Sequence, residues 1–424
     1  MRKTGRSAAL LSALIIISIM LTSCSPLFIS NKANLSGVPR AEDIIPIDTP
    51  EVIAPEAPER LDFGIENVFD PSGALADFYP FVYDIEYVTV ATTVNNTPLF
   101  PTTESFIDAC LYDRNSTLEA KYGFTFSALK DKSSALIKDF ENAIKNNTFS
   151  ADLLAVPVTE VSSFESKTVL RPISSLPFVN SSEEWMTDPE TFGISGEYFM
   201  ACEASLVPSR TRVIFFNEEL VSAIKAKSPY TLLESGKWTW EALIERLGKH
   251  GKIATGDDLD ALIEATASSS LAYGSVTDNA EGAESTQKAE KLASIKETLT
   301  KALVTEDAKK KFIDGEAYFY IGTLADIADI TSQETVFGLL PIPVFEKGDK
   351  YIDVHNASDV TVYACPKSVA DTERSALLLA AIAAASEGSR AHAFSQILDN
   401  ALLRNNGSRL SLGYIFSADT KIIS

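Results

Sequence analysis

Residues 212–247 of this chain, RVIFFNEELVSAIKAKSPYTLLESGKWTWEALIERL, combine a buried strand with an amphipathic helix. The strand is predicted at Val213–Phe216, an apolar run that ends at Asn217. The helix is predicted to begin at Thr239, a hydroxyl cap, with Glu241 in the first turn where the helix dipole favours a negative charge. One face of that helix then carries its apolar residues, Trp240, Leu243, Ile244 and Leu247.

The part of the chain before this stretch alternates strands with helices. Strands are predicted at Tyr87–Thr93, Phe124–Ala128 and Asp152–Pro157. The helices between them have apolar faces made of Ile107, Cys110, Leu111 and Leu118, and of Leu136, Phe140, Ala143 and Ile144, and Gly123 is expected to end the first helix. This order predicts an α/β fold with a parallel sheet and crossover helices. In such sheets, ligands bind beside the carboxyl ends of the strands.

Length and charge limit the classes of function. The chain has 424 residues, with 58 acidic and 37 basic side chains and a formal net charge of −21. This length predicts two lobes, because a single core rarely grows so large. The negative charge argues against nucleic acid or an anionic membrane as the partner, and solubility is its simplest explanation.

The sequence contains no motif of a catalytic or metal site. Its histidines, His250, His355 and His392, are isolated from one another. Neither a Gly-x-Ser-x-Gly elbow nor a phosphate-binding Gly-x-x-x-x-Gly-Lys motif occurs. We therefore predict no catalytic residue, no metal and no cofactor.

The N-terminus has the pattern of an exported lipoprotein. Three basic residues, Arg2, Lys3 and Arg6, precede an apolar stretch at residues 8–20 that is too short to span a membrane comfortably. Leu21-Thr22-Ser23-Cys24 follows and resembles a bacterial lipobox, in which Cys24 is lipidated; an ordinary signal peptide is the alternative. We predict a lipoprotein signal peptide at residues 1–24, anchoring by acyl chains on Cys24, and a proline-rich acidic tether at residues 25–60.

Several segments, in order along the chain, resemble the bacterial extracellular solute-binding proteins, family 1, which serve carbohydrate ABC importers. The most specific is Phe215-Phe216-Asn217 followed by Gly236-Lys237-Trp238-Thr239-Trp240. The others are Asp152–Pro177, Trp185 with Gly196-Glu197-Tyr198, Phe312–Gly322, Phe337–Pro343 and the helix Asp371–Ser386. Together they span most of residues 104–403. Trp238 and Trp240 identify the family better than they identify the site, since aromatic residues at a helix start usually pack in a core.

Two regions depart from the family pattern. The segment between Leu247 and Ala308 looks short, and Asp278–Gln287 is expected to be a polar loop where the family has a longer helical insert. The end of the chain, Leu402–Ser424, also differs. Both differences would remodel a wall of the cleft. Cys110, Cys202 and Cys365 lie in apolar or small-residue surroundings and are predicted to be buried free thiols.

The resemblance implies a two-lobed, periplasmic-binding-protein-like (type II) α/β fold with crossover strands between the lobes. The first lobe would comprise residues 61–211 and 360–404, and the second residues 212–359 and 405–424. The resemblance implies a monomer that closes by hinge rotation around a small solute and then docks on a membrane permease.

The family's ligand loops, carried over by position, give the candidate ligand residues Asn95, Asn96, Val158, Thr159, Glu160, Arg210, Tyr273, Tyr320 and Thr323. Sugars are bound by flat apolar faces and planar hydrogen-bonding groups, which these types supply. Each has a structural alternative. The asparagines suit a plain turn, Thr159 and Glu160 a helix start, Arg210 a surface ion pair, and Tyr320 a core position.

The expected function is therefore that of a lipid-anchored, extracytoplasmic binding protein of an ABC importer, with a sugar or oligosaccharide as its solute. Two alternatives stay open at this point. One is a binding-fold lipoprotein that acts as a sensor or surface scaffold, which the short second-lobe insert favours. The other is a glycoside-processing enzyme that uses a pair of carboxylates.

Overall fold

The strands of the residues that the structure describes form two main sheets and two small ones. The computed structural model describes residues 69–423 except for residues 77, 79–85, 96, 102–104, 180–185, 226, 274–282, 333–335, 401–402 and 404. The strands are β1 (Tyr87–Thr92), β2 (Thr125–Lys130), β3 (Leu153–Pro157), β4 (Met186–Thr187), β5 (Ala201–Cys202), β6 (Arg212–Asn217), β7 (Ile253–Thr255), β8 (Leu303–Val304), β9 (Phe319–Thr323), β10 (Phe337–Leu340), β11 (Ile352–Asn356), β12 (Thr361–Ala364) and β13 (Asp419–Ile423).

Helices connect and cover these strands. They are α1 (Pro71–Ala74), α2 (Ala109–Tyr122), α3 (Ser133–Asn146), α4 (Val161–Glu165), α5 (Glu218–Ala223), α6 (Pro229–Glu234), α7 (Trp240–Leu247), α8 (Leu259–Tyr273), α9 (Ala283–Ala302), α10 (Ala308–Ile313), α11 (Asp326–Thr331), α12 (Thr372–Ala384), α13 (Ser389–Asp399) and α14 (Asn406–Phe416). Short 3₁₀ turns lie at Phe106–Asp108, Val158–Glu160, Ile173–Ser175, Pro189–Phe192, Glu203–Ser205, Pro208–Arg210 and Ala357–Asp359.

The first sheet has the order β12-β3-β1-β2. Its strands β1, β2 and β3 are parallel, and β12 runs antiparallel to β3. The predicted strand and helix order of this region is therefore confirmed. Gly123 ends α2 with a left-handed φ of 69°, a conformation that favours glycine.

The second sheet has the order β10-β6-β9-β7-β8. Strand β7 is parallel to β8 and β9, whereas β6 is antiparallel to both of its neighbours, β9 and β10. The mixed α/β class that the sequence predicts is thus confirmed. The first sheet takes its strands from residues 87–157 and 361–364, and the second from residues 212–340. The boundaries proposed for the lobes stay a prediction.

The Trp-rich helix forms as its sequence predicts. The Thr239 hydroxyl accepts a hydrogen bond from the Ala242 amide at 3.2 Å, which caps α7. Both tryptophans are fully buried, and each indole finds a partner: Trp238 Nε1 donates to the Pro341 carbonyl and Trp240 Nε1 to the Thr266 hydroxyl, both at 2.9 Å. A buried indole N–H needs such a partner. The two side chains therefore anchor α7 in the second-sheet core.

The C-terminal strand links the cores of the two main sheets. β13 pairs in parallel with β11. Ile423 belongs to the apolar cluster that contains Trp238 and Trp240, whereas Ile422 packs against the cluster that contains Leu154 and Val156 of β3. Neighbouring residues of one strand thus reach both cores, because their side chains point to opposite faces.

Two expectations about local structure were wrong. Ile144, predicted on the buried face of α3, is 41% exposed, because it belongs to the last turn of that helix. Residues 283–287, the last part of the expected polar loop, form the start of α9. Helices α8 and α9 together occupy much of the segment that looked short, and Glu, Gln, Lys and Ala in α9 are strong helix formers.

Cys110, Cys202 and Cys365 are buried free thiols, as predicted. Burial raises the pKa of each thiol to about 12. Within the described ranges, no helix has both the length and the apolar character needed to cross a membrane.

Candidate functional site

The carboxyl ends of the parallel strands meet where the two sheets approach each other. In the first sheet, Thr361 at the start of β12 pairs with Pro157 at the end of β3. In the second sheet, Arg212 at the start of β6 pairs with Thr323 at the end of β9. In α/β sheets, the loops at this edge are the usual place for a ligand.

The guanidinium of Arg212 joins the two edges. Its Nε donates to Asp257 Oδ2 at 2.9 Å, and its Nη2 donates to Asp257 Oδ1 at 3.2 Å and to Asp359 Oδ2 at 3.1 Å. Its Nη1 donates to the Arg210 carbonyl at 2.7 Å. The Arg212 side chain is only 5% exposed, while those of Asp257 and Asp359 are 17% and 20% exposed. The arginine therefore lies beneath the two carboxylates.

Local structure positions each carboxylate. The Asp257 amide donates to the Thr255 hydroxyl at 3.0 Å, and Asn356 Nδ2 donates to Asp257 Oδ1 at 3.3 Å, so this carboxylate is held at the end of β7. Asp359 ends the 3₁₀ turn between β11 and β12. In the next residue, the Val360 carbonyl accepts a hydrogen bond from the Val158 amide at 2.9 Å. Asp359 thus lies at the edge of the first sheet.

The predicted ligand residues of the first sheet lie at this same edge. Val158, Thr159 and Glu160 form the 3₁₀ turn after β3, which packs beside the turn that ends at Asp359. Glu160 precedes α4 but makes no capping bond with its side chain. Asn95 is exposed in the bend that follows β1. Among the residues that the structure describes, none of these polar side chains has a hydrogen-bond partner.

Arg210 ends the turn Pro208–Arg210, which directly precedes β6. Its backbone accepts a bond from Arg212, but its half-buried guanidinium makes no ion pair with any residue that the structure describes. The turn Pro208–Arg210 is held in place by Asp108. The buried Asp108 carboxylate accepts hydrogen bonds from the Ser209 amide at 3.0 Å and the Ser209 hydroxyl at 2.5 Å. Arg210 is therefore a cation on a rigid support.

The predicted ligand residues of the second sheet are engaged with the protein itself. The Tyr320 ring is 7% exposed and stacks with Phe215 and Phe312 at centroid distances of 5.9 and 5.8 Å. Its hydroxyl donates to Asp326 Oδ2 at 3.1 Å, and Thr323 donates to the same oxygen through its amide and its hydroxyl. Burial, together with the Asp326 charge, raises the pKa of Tyr320. The structure thus places Tyr320 in the core, the alternative that strand alternation left open.

Three other sequence predictions have no structural counterpart here. Asn96 and Cys24 lie outside the described residues. Tyr273 is the last residue of α8, and its side chain lies outside them as well.

Four residues of the site were missed by the sequence analysis: Arg212, Asp257, Asn356 and Asp359. Arg212 is separated from Asp257 by 45 residues and from Asp359 by 147. The only local signal was Arg212 itself, a charged residue at the start of an otherwise apolar strand. A charge that is buried in such a strand requires a partner.

Metal ligands do not cluster in the described ranges, where no group of three or more His, Cys, Asp and Glu side chains is placed to hold an ion.

The sequence matches no protein-family model, and no curated protein is similar enough to count as a relative. Many solved structures have a similar fold. A family 1 extracellular solute-binding protein from Bifidobacterium longum subsp. infantis aligns with 72% of this chain and 79% of its own, at 14% identity and a TM-score of 0.47. The sugar-binding protein MalE from Xanthomonas citri aligns with 79% and 86%, at 12% identity and a TM-score of 0.49.

A third similar structure is the spermidine/putrescine ABC transporter substrate-binding protein PotD from Streptococcus pneumoniae. It aligns with 80% of this chain and 93% of its own, at 12% identity and a TM-score of 0.42. Family 1 solute-binding proteins, which the sequence motifs resemble, are therefore among the solved structures similar to this chain. These likenesses assign no ligand to it.

Proposed function

We propose that this protein binds a small solute between the facing edges of its two sheets and delivers it to the membrane permease of an ABC importer. One observation carries the proposal: the carboxyl edges of both sheets converge on the Arg212–Asp359 contact, and polar side chains that have no partner among the described residues lie at the same edge. Such convergence of loops and polar groups is the usual setting of a ligand site in α/β proteins.

A sugar or oligosaccharide is the solute that the lining favours. The edge offers carboxylates (Glu160 and Asp359), an amide (Asn95), a hydroxyl (Thr159) and a guanidinium (Arg210). Hydroxyl groups both donate and accept hydrogen bonds, so a sugar satisfies acceptors and donors of the site together. The binding step needs no covalent chemistry.

The proposed mechanism is rotation of the two sheets toward each other around the solute, after which the closed form docks on the permease. The N-terminal pattern that ends at Cys24 supports a lipid anchor, which would hold the protein on the outer face of the bacterial cell membrane. A binding-fold lipoprotein that acts as a sensor or surface scaffold stays the alternative, and a permease partner is what would separate the two.

The test is thermal unfolding of the full chain in mild detergent, followed by tryptophan fluorescence, against mono- and oligosaccharides. A solute at a hundred times its dissociation constant adds about 2.7 kcal/mol of stability and raises the midpoint by a few degrees. Amino acids, peptides and polyamines form a comparison set. A shift with one sugar class supports the proposal. A shift only with an amino acid, peptide or polyamine keeps the solute-binding function and rejects the sugar. No shift with any compound contradicts the proposal, and turnover of a panel member would indicate an enzyme instead.

A further inference from the structure

We propose that Asp359 contacts the bound solute directly and accepts a hydrogen bond from one of its hydroxyl or ammonium groups, with Arg212 as the positioning residue that holds it. This inference rests on the proposed function and names a residue that the resemblance to the solute-binding family did not provide.

The first step concerns the two oxygens of the Asp359 carboxylate. Oδ2 accepts the hydrogen bond from Arg212 Nη2 at 3.1 Å. Oδ1 has no partner among the residues that the structure describes. Both oxygens of Asp257, in contrast, accept bonds from Arg212, and Oδ1 also accepts one from Asn356. Of the two carboxylates that bind Arg212, Asp359 is therefore the one with an oxygen that has no described partner.

The second step concerns access. The Asp359 side chain is 20% exposed, whereas the Arg212 side chain behind it is 5% exposed. A solute at this edge would meet the carboxylate before it met the guanidinium. The turn of Asp359 also packs beside the turn Val158–Glu160, so a solute that contacts Glu160 would lie next to Asp359.

The third step concerns preorganisation. Arg212 uses Nε, Nη1 and Nη2 in hydrogen bonds, and it is anchored at the start of β6 through its pairing with Thr323. A carboxylate held in this way loses little side-chain freedom when it binds, which favours affinity. One guanidinium faces two carboxylates, so Arg212, Asp257 and Asp359 together keep a net negative charge and carboxylate oxygens that can still accept hydrogen bonds. Arg210 adds a cation to the site. Which charge is preferred in a solute therefore depends on whether its charged group contacts Asp359 or Arg210.

The test compares matched sugars that differ in one charge. Glucose, glucosamine and glucuronate form one series, and galactose, galactosamine and galacturonate another, with the corresponding trimers for an oligosaccharide site. Dissociation constants are measured by calorimetry for the full-chain wild type in detergent and for Asp359→Asn. This variant removes the charge and keeps the size of the side chain.

We expect Asp359→Asn to weaken the amino sugar most and to shift the ratio of amino-sugar to acidic-sugar affinity about tenfold toward the acid, because a hydrogen bond to a charged group is lost. Asp329→Asn, an exposed carboxylate on α11, is the matched control for net charge and should leave the ratio unchanged. Asp359→Ser, which also removes the charge, replaces the first variant if that one does not fold.

The outcomes separate this inference from the proposed function. If wild type binds a series and Asp359→Asn leaves every dissociation constant unchanged, or weakens all members equally with a lower urea midpoint, the ion pair is only structural and the inference is overturned. Equal weakening at an unchanged midpoint shows that Asp359 accepts a hydrogen bond from a hydroxyl that all members share. If wild type binds no sugar, amine or acid at all, the proposed function fails and the inference fails with it.

Discussion

The two sheet edges that face each other differ in what their polar side chains do. At the edge of the first sheet, Asn95, Thr159 and Glu160 have no hydrogen-bond partner among the residues that the structure describes. At the edge of the second sheet, Tyr320 and Thr323 both bond to Asp326. Polar side chains thus stand at both edges, but of those named here only the side chains of the first edge lack a partner among the described residues.

This difference separates two tasks. The polar groups of the second edge bond to one another, through Asp326 and through the Arg212–Asp257 pair, and these bonds make the edge rigid. The polar side chains of the first edge can bind water, which a bound solute would replace. Substitutions at the second edge should therefore change stability, and substitutions at the first edge should change binding.

The largest effect is expected from Arg212→Met. The substitution removes the bonds to Asp257, Asp359 and the Arg210 carbonyl, and leaves two poorly hydrated carboxylates close together. Loss of one partner of a buried ion pair costs about 3 kcal/mol. Urea denaturation measures the change. Arg210→Met is the matched control, since this guanidinium makes no hydrogen bond or ion pair with a described residue and acts on Asp108 only through its charge. Equal losses in the two variants would contradict our account of the network.

The second effect is expected from Asp326→Ala. It leaves the buried hydroxyl of Tyr320 and the amide of Thr323 without their acceptor, which costs about 2 kcal/mol of unfolding free energy. Asp329→Ala serves as control, because Asp329 also pairs with Lys309 but is 62% exposed, and exposed pairs contribute about 0.5 kcal/mol or less. Similar urea midpoints for the two variants would show that Asp326 is not the hub of this edge.

A smaller effect is expected from Tyr320→Phe. The ring keeps its stacking with Phe215 and Phe312, and only the hydrogen bond to Asp326 is lost, at a cost of about 1 kcal/mol. Solute affinity should stay within about twofold if the ring belongs to the core. Tyr318→Phe, a half-buried neighbour outside this bond network, is the control. A large loss of sugar affinity in Tyr320→Phe would return Tyr320 to the ligand site.

The smallest effect on stability is expected from Glu160→Ala. Its side chain has no partner among the described residues, so the unfolding free energy should change by about 0.5 kcal/mol or less. Sugar affinity, in contrast, should fall by about tenfold, as expected for the loss of a charged hydrogen bond. Calorimetric titration and urea denaturation of the same preparation distinguish the two quantities. Glu234→Ala, an exposed carboxylate on α6, should change neither.

The sequence predicted most of what depends on local pattern. Strand β6 and the Thr239 cap of α7 could be read from apolar runs and a single hydroxyl, because such features are decided within a few residues. Ile144 shows where periodicity fails, since a helix end can extend beyond the core that its middle covers. Strand β6 and the Thr239 cap needed no tertiary information, whereas the exposure of Ile144 depends on it.

The site could be predicted only in part. The loops after the first-sheet strands were found through their place in the chain, and their residues do lie at one edge. The engagement of Tyr320 with Asp326 was not predicted, since strand alternation gives a face but not what covers that face. Arg212 and Asp359 meet only in the folded molecule, across 147 residues, and no local pattern reports such a contact.

The three buried thiols make the molecule suitable for site-specific labelling. Reagents such as maleimides react with the thiolate. In the folded state, burial keeps the reagent away from Cys110, Cys202 and Cys365, and a pKa of about 12 keeps each thiol protonated near neutral pH. Within the described part of the chain, a cysteine introduced at the exposed Thr159 would be the one reactive thiol. A fluorescent dye at that position would turn solute arrival at the first edge into an optical signal.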